Sequence, residues 1–144
     1  MVIWLSPANP RQHHFVVHRP PFARLDTLLE TRSLLLHDLC HYAIEAELGT
    51  HEGFYGRVAA GADPGALREA SLDEAEWAAL LRIEGIVVQL QATFKRRAAS
   101  GPAAHRLQGL WGAWAKVRPP KGLLLTWPPG PPTVALRPTK ECQL

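Results

Sequence analysis

Apolar residues occur in short runs at both ends of this chain and recur every three or four positions in its middle. The terminal runs are rich in β-branched and aromatic residues and are bounded by prolines, glycines and other turn residues, which is typical of strands. The pattern predicts strands within residues 2–18 and within residues 123–136. Residues 23–28 are compatible with either a third N-terminal strand or an irregular segment.

The middle of the chain predicts three helices, at about residues 33–48, 72–97 and 103–117. Only Pro64 lies between positions 22 and 101, so little interrupts helical structure there. Gly49 stands where a left-handed residue would end the first helix. Ser71, followed three positions later by Glu74, predicts a cap at the start of the second helix.

Strands, three helices and strands again, in that order, predict an α+β fold. We expect the three central helices to pack on an antiparallel sheet formed by the N- and C-terminal strands. With 144 residues, 47% of them hydrophobic, the chain is long enough for one core and short for two. We therefore expect a single domain over residues 1–144.

Charge and composition argue against several classes of function for this chain. The 16 basic and 13 acidic residues leave a net charge of +3 without a basic stripe, so nucleic acid is not an expected partner. We expect no membrane span and no signal peptide, and two cysteines make no disulfide framework; together these features predict a cytoplasmic protein. The chain also lacks a P-loop, a dinucleotide fingerprint and paired CxxC motifs.

The predicted first helix contains no lysine or arginine and is apolar on most of its surface. At about 100° per residue, its polar residues His37, Asp38, His41 and Glu45 fall on one stripe. A helix that is apolar nearly all round is expected to be buried, and buried imidazoles and carboxylates need partners. The stripe should therefore face a metal ion, a hydrogen-bond network or a cleft.

His37 and His41 have the i, i+4 spacing that lets two imidazoles bind one cation, of which zinc is the favoured candidate. A third ligand would come from outside the helix. In order of preference, the candidates are His51, Glu52, Glu84 and His18. Asp38 and Glu45 are the candidate catalytic residues, acting on metal-bound water or orienting the imidazoles. The alternative is that these side chains satisfy one another as a buried polar network without any ligand.

The segment from Leu36 to Gly61 contains the HDxxHxxxE helix and the loop Gly53-Phe54-Tyr55-Gly56. In this combination it resembles the signature of an uncharacterised bacterial protein family. The resemblance covers about a fifth of the chain, implies a shared site and indicates no reaction.

The His-Asp-x-x-His motif alone is similar to two zinc motifs. One is the His-Glu-x-x-His helix of zinc peptidases, where Asp38 would take the position of the glutamate. The other belongs to a coenzyme Q biosynthesis protein, whose motif adds a glutamate at the position that Gly53 occupies here; Glu52 lies one residue before it. This similarity implies a metal-site role for His37, Asp38, His41 and Glu52.

Two functions from different classes follow. The first is a small metal-binding protein with hydrolase or lyase activity centred on the HDxxH helix. The second is a noncatalytic binding or interaction module, in which the polar stripe is a buried network. A small-molecule ligand and self-association fit either function.

Overall fold

The computed structural model describes residues 1–64 and 72–139. Its elements in chain order are β1 (Val2–Pro7), β2 (Gln12–His18), β3 (Leu25–Glu30), α1 (Thr31–Leu48), α2 (Phe54–Ala59), α3 (Glu74–Lys95), α4 (Pro102–Ala115), β4 (Lys121–Thr126) and β5 (Thr133–Leu136). The α+β class is confirmed. The three predicted helices correspond to α1, α3 and α4, while the short helix α2 was not predicted.

The five strands form one antiparallel sheet in the order β3-β2-β1-β4-β5. Strand β1 lies at its centre, where Val2 is paired with His18 of β2 on one side and with Thr126 of β4 on the other. Asn9 shapes the turn between β1 and β2, because its side-chain oxygen accepts two backbone N–H groups of that turn. The prediction that strands from both ends of the chain share one sheet is confirmed.

The inner strands are buried and the edge strands are exposed. Consecutive residues of a strand point to opposite faces of the sheet. Since Ile3, Trp4 and Leu5 are all buried, both faces of β1 are covered. On the edge strands, Leu28 of β3 and Leu136 of β5 remain exposed. The apolar runs at the chain ends are therefore continuous where a strand is central.

The end of α1 and the start of α3 lie at residues that are typical of helix ends. Gly49 has a φ of 61°, the left-handed conformation expected where α1 ends. Asp73 caps α3: its carboxylate accepts the backbone N–H of Glu76, and the side chain of Glu76 accepts the backbone N–H of Asp73. Ser71, the predicted cap, lies outside the described residues.

The chain divides into two compact units, Met1–Leu36 with Gly109–Leu144, and His37–Gln108. The first unit contains the whole sheet, and the second contains the polar stripe of α1 together with α2 and α3. The single domain, and the packing of the helices on the sheet, stay predictions. Within the described segments, no helix is both long and apolar enough to cross a membrane.

Candidate metal centre

Helix α1 carries His37, His41 and Glu45 on successive turns, because residues four positions apart lie on one face of an α-helix. The side chain of His41 is 6% exposed and that of Glu45 is fully buried, whereas that of His37 is 26% exposed. Their neighbours on the helix are buried apolar residues, among them Leu39, Cys40, Tyr42 and Ala43. An imidazole or carboxylate buried in such surroundings costs several kcal/mol if it has no partner.

His41 is held between two carboxylates. Its Nδ1 lies 3.0 Å from Oε2 of Glu45, and its Nε2 lies 2.7 Å from Oε2 of Glu84 on α3. Burial by itself lowers the pKa of His41, but the hydrogen bonds and negative charges of Glu45 and Glu84 outweigh it, and the pKa is raised above its ordinary value of 6.5. An imidazolium in this position has an N–H for each of the two carboxylates.

His37 shares the same carboxylate. Its Nε2 lies 3.0 Å from Oε1 of Glu84, and its Nδ1 lies 3.0 Å from Oε1 of Gln91. The rings of His37 and His41 meet edge to face, with their centroids 4.8 Å apart. Each oxygen of Glu84 therefore contacts the Nε2 atom of one histidine.

His37, His41 and Glu84 together form a group that could hold a metal ion, with one ligand atom of each lying within 4.8 Å of the others. Two imidazoles and one carboxylate form a donor set that zinc takes in catalytic sites, where the fourth position stays open to water or substrate. The side chain of Glu84 is 39% exposed, so the group is open to solvent on the α3 side.

Glu45 also connects the histidines to helix α2. Its two oxygens accept the backbone N–H groups of Phe54 at 3.0 Å and of Tyr55 at 2.9 Å. The ring of Phe54 lies 6.0 Å from that of His41, centroid to centroid. The segment predicted as a glycine-rich loop thus contains a helical turn that is attached to the site through one buried carboxylate.

Gly53, which precedes α2, has no room for a side chain. A Cβ at this position would overlap the carboxylate of Glu45. We expect Gly53→Ala to lower the free energy of unfolding by about 1–3 kcal/mol, because either the carboxylate or the backbone must shift. The matched control is Gly85→Ala in α3, where a Cβ meets nothing within 4 Å and is expected to add about 0.5–1 kcal/mol. Chemical denaturation of both variants measures the difference; a loss no larger at Gly53 than at Gly85 would contradict it.

The other predicted site residues of α1 and its following loop lie elsewhere. Asp38 is half-buried, and its backbone carbonyl accepts the hydroxyl of Tyr55 at 3.0 Å. His51 and Glu52 are exposed, and the carbonyl of Glu52 accepts a hydrogen bond from Nε of Arg57 at 2.8 Å. None of Asp38, His51 and Glu52 belongs to the group that could hold a metal.

Helix α3 supplies Glu84, which completes the group, and Gln91, which contacts His37. The sequence-based order of preference places Glu84 third, after His51 and Glu52, and does not include Gln91. His18, the fourth candidate, lies in β2. The available signal was the spacing of Glu84 and Gln91: seven residues, two helical turns, place both polar groups on one side of α3.

No known family model, curated protein or solved structure matches this chain. The resemblances of the HDxxH segment therefore stay predictions. The α+β fold with a His/Glu group at α1 and α3 is what the structure establishes.

Proposed function

We propose that the protein binds one divalent cation, with zinc as the favoured ion, through Nε2 of His37, Nε2 of His41 and the carboxylate of Glu84. One observation carries the proposal: the Nε2 atoms of both histidines converge on a single carboxylate, at 3.0 Å and 2.7 Å. A cation among these three groups would replace the protons that the imidazoles otherwise share with Glu84.

The proposed chemistry is that of a small hydrolase or lyase. A zinc ion with three protein ligands acts as a Lewis acid and lowers the pKa of a coordinated water to about 7. The half-exposed carboxylate of Glu84 and the partly exposed ring of His37 leave an approach from solvent. Glu45 orients His41 from the buried side; a catalytic role for Asp38 stays a prediction.

The second candidate is a noncatalytic module with a permanent polar network. Its supporting observation is that both nitrogens of His41 already contact carboxylates without any cation. In this case a positive charge on His41 serves only to balance the negative charges of Glu45 and Glu84. A small-molecule ligand or a second copy of the chain would bind elsewhere. Cytoplasmic localisation fits both candidates.

The deciding experiment is zinc binding by the protein without a histidine tag. We expect about one equivalent of Zn²⁺ per chain, measured by elemental analysis and by competition with a chromophoric chelator. At a free Zn²⁺ concentration one hundred times the Kd, binding would add about 2.7 kcal/mol to the free energy of unfolding.

Two ligand variants and two matched controls make the experiment specific. His37→Ala and Glu84→Ala are expected to weaken zinc binding by more than about 100-fold, since each removes one of three ligands. His105→Ala in α4 and Glu74→Ala in α3 replace exposed residues of the same types and should bind as the parent does. No stoichiometric zinc, and no rise in Tm on adding it, would favour the polar network.

A further inference from the structure

The two histidines differ in the group that contacts Nδ1. For His41 it is the buried carboxylate of Glu45, and for His37 it is the side-chain amide oxygen of Gln91, each at 3.0 Å. A histidine that binds a metal through one nitrogen usually donates its other N–H to a carboxylate or carbonyl oxygen, and this bond fixes the tautomer and the ring orientation.

We propose that Gln91 is a positioning residue of the metal centre. Its amide oxygen accepts the Nδ1–H of His37 and thereby directs Nε2 toward the cation. This inference rests on the proposed function and extends it to a residue that contacts no metal. Glu84 and Gln91 are two turns apart on α3, so a single helix supplies one ligand and the group that orients another.

The neutral amide also suits the charge of the site. A divalent cation is balanced by the two carboxylates of Glu84 and Glu45, one in contact with it and one behind His41. An amide acceptor at Gln91 adds no further charge, whereas a carboxylate there would make the loaded site negative. Gln91→Glu keeps an acceptor for Nδ1–H and is therefore expected to retain the cation.

The test compares three variants. Gln91→Ala should weaken Zn²⁺ binding by about 10–100-fold, while Gln91→Glu should bind as tightly as the parent or more tightly. Gln89→Ala is the matched control, since Gln89 is exposed on the same helix two positions away. It should leave binding unchanged. Alanine is the best helix former, so Gln91→Ala is expected to fold, and circular dichroism verifies this.

A spectroscopic measurement separates positioning from a general loss of packing. In the Co²⁺-loaded protein, the Nδ1–H of each bound histidine gives a hyperfine-shifted proton signal that is visible only if a hydrogen bond protects it from exchange. The parent and Gln89→Ala should show two such signals, and Gln91→Ala should show one. Gln91→Glu should restore the second signal.

The outcomes distinguish this inference from the proposed function. If the parent binds zinc and Gln91→Ala matches Gln89→Ala in affinity and in both proton signals, Gln91 has no positioning role, although the metal site stands. Failure of Gln91→Glu to restore the second signal would overturn the role as well. If the parent takes up no zinc, the proposed function fails and this inference fails with it.

Discussion

Replacing Glu45 by alanine is expected to lower the free energy of unfolding by about 3–5 kcal/mol, the range observed when one member of a buried ion pair is removed. The fully buried carboxylate accepts hydrogen bonds from the Nδ1 atom of His41 and from the backbone N–H groups of Phe54 and Tyr55. Its loss leaves an imidazolium and two amide donors buried without that partner. Urea denaturation in the presence of a chelator measures the change without any contribution from bound metal.

Glu47→Ala is the control on the same helix. Glu47 pairs with Arg106 at 2.9 Å, and the side chains of both residues are about one third exposed. Ion pairs of this kind contribute about 0–1 kcal/mol. A loss at Glu45 within 1 kcal/mol of the loss at Glu47 would show that the network around His41 does not stabilise the fold.

The sheet could be predicted from sequence because its signals are local. Short apolar runs between turn residues mark β1, β2, β4 and β5, and buried residues such as Ile3 and Leu125 fall within them. Which helical residues become buried is harder to predict. On α3, Ile86 stands at helical spacing from the buried residues Ile83 and Leu90, yet it is 42% exposed, while Val87 beside it is fully buried. Successive residues of a helix point about 100° apart, so a small error in assigning the buried face exchanges a buried position with an exposed one.

From the sequence, the geometry of the candidate site could be predicted only for the residues that lie on α1. The spacing of His37, His41 and Glu45 is a property of α1 alone, and the structure brings these three residues together. Glu84 meets them only because α3 packs against α1, a contact between residues 43 positions apart. Sequence proximity instead favoured His51 and Glu52. Helix α2 was also missed, because its short sequence contains glycine and its first two amide groups are capped by the distant carboxylate of Glu45.

Lowering the pH from 7 to 4 is expected to reduce the free energy of unfolding by about 3 kcal/mol through His13 alone. This residue of β2 is fully buried, and burial, with a smaller contribution from neighbouring His14, lowers its pKa from 6.5 to about 4. Its Nδ1 contacts the hydroxyl of Thr31 at 3.1 Å, its ring lies edge-on to Trp114, and its Nε2 has no hydrogen-bond partner in the described part of the chain. The surroundings of the ring thus favour the neutral imidazole.

The direction of this pH effect depends on which state of the protein, folded or unfolded, binds a proton at His13. Between pH 6.5 and pH 4 the unfolded chain protonates His13 and the folded chain does not, so this part of the stability is complete above pH 6.5 and is lost as the pH falls toward 4. His13→Asn, which keeps a polar group near Thr31 but cannot titrate, should be less stable than the parent at pH 7 and lose less stability on acidification. His105→Asn leaves His13 intact and should keep the parental slope. Urea denaturation at pH 7, 5.5 and 4 compares the three proteins; the same slope in His13→Asn as in the parent would mean that folding does not lower the pKa of His13.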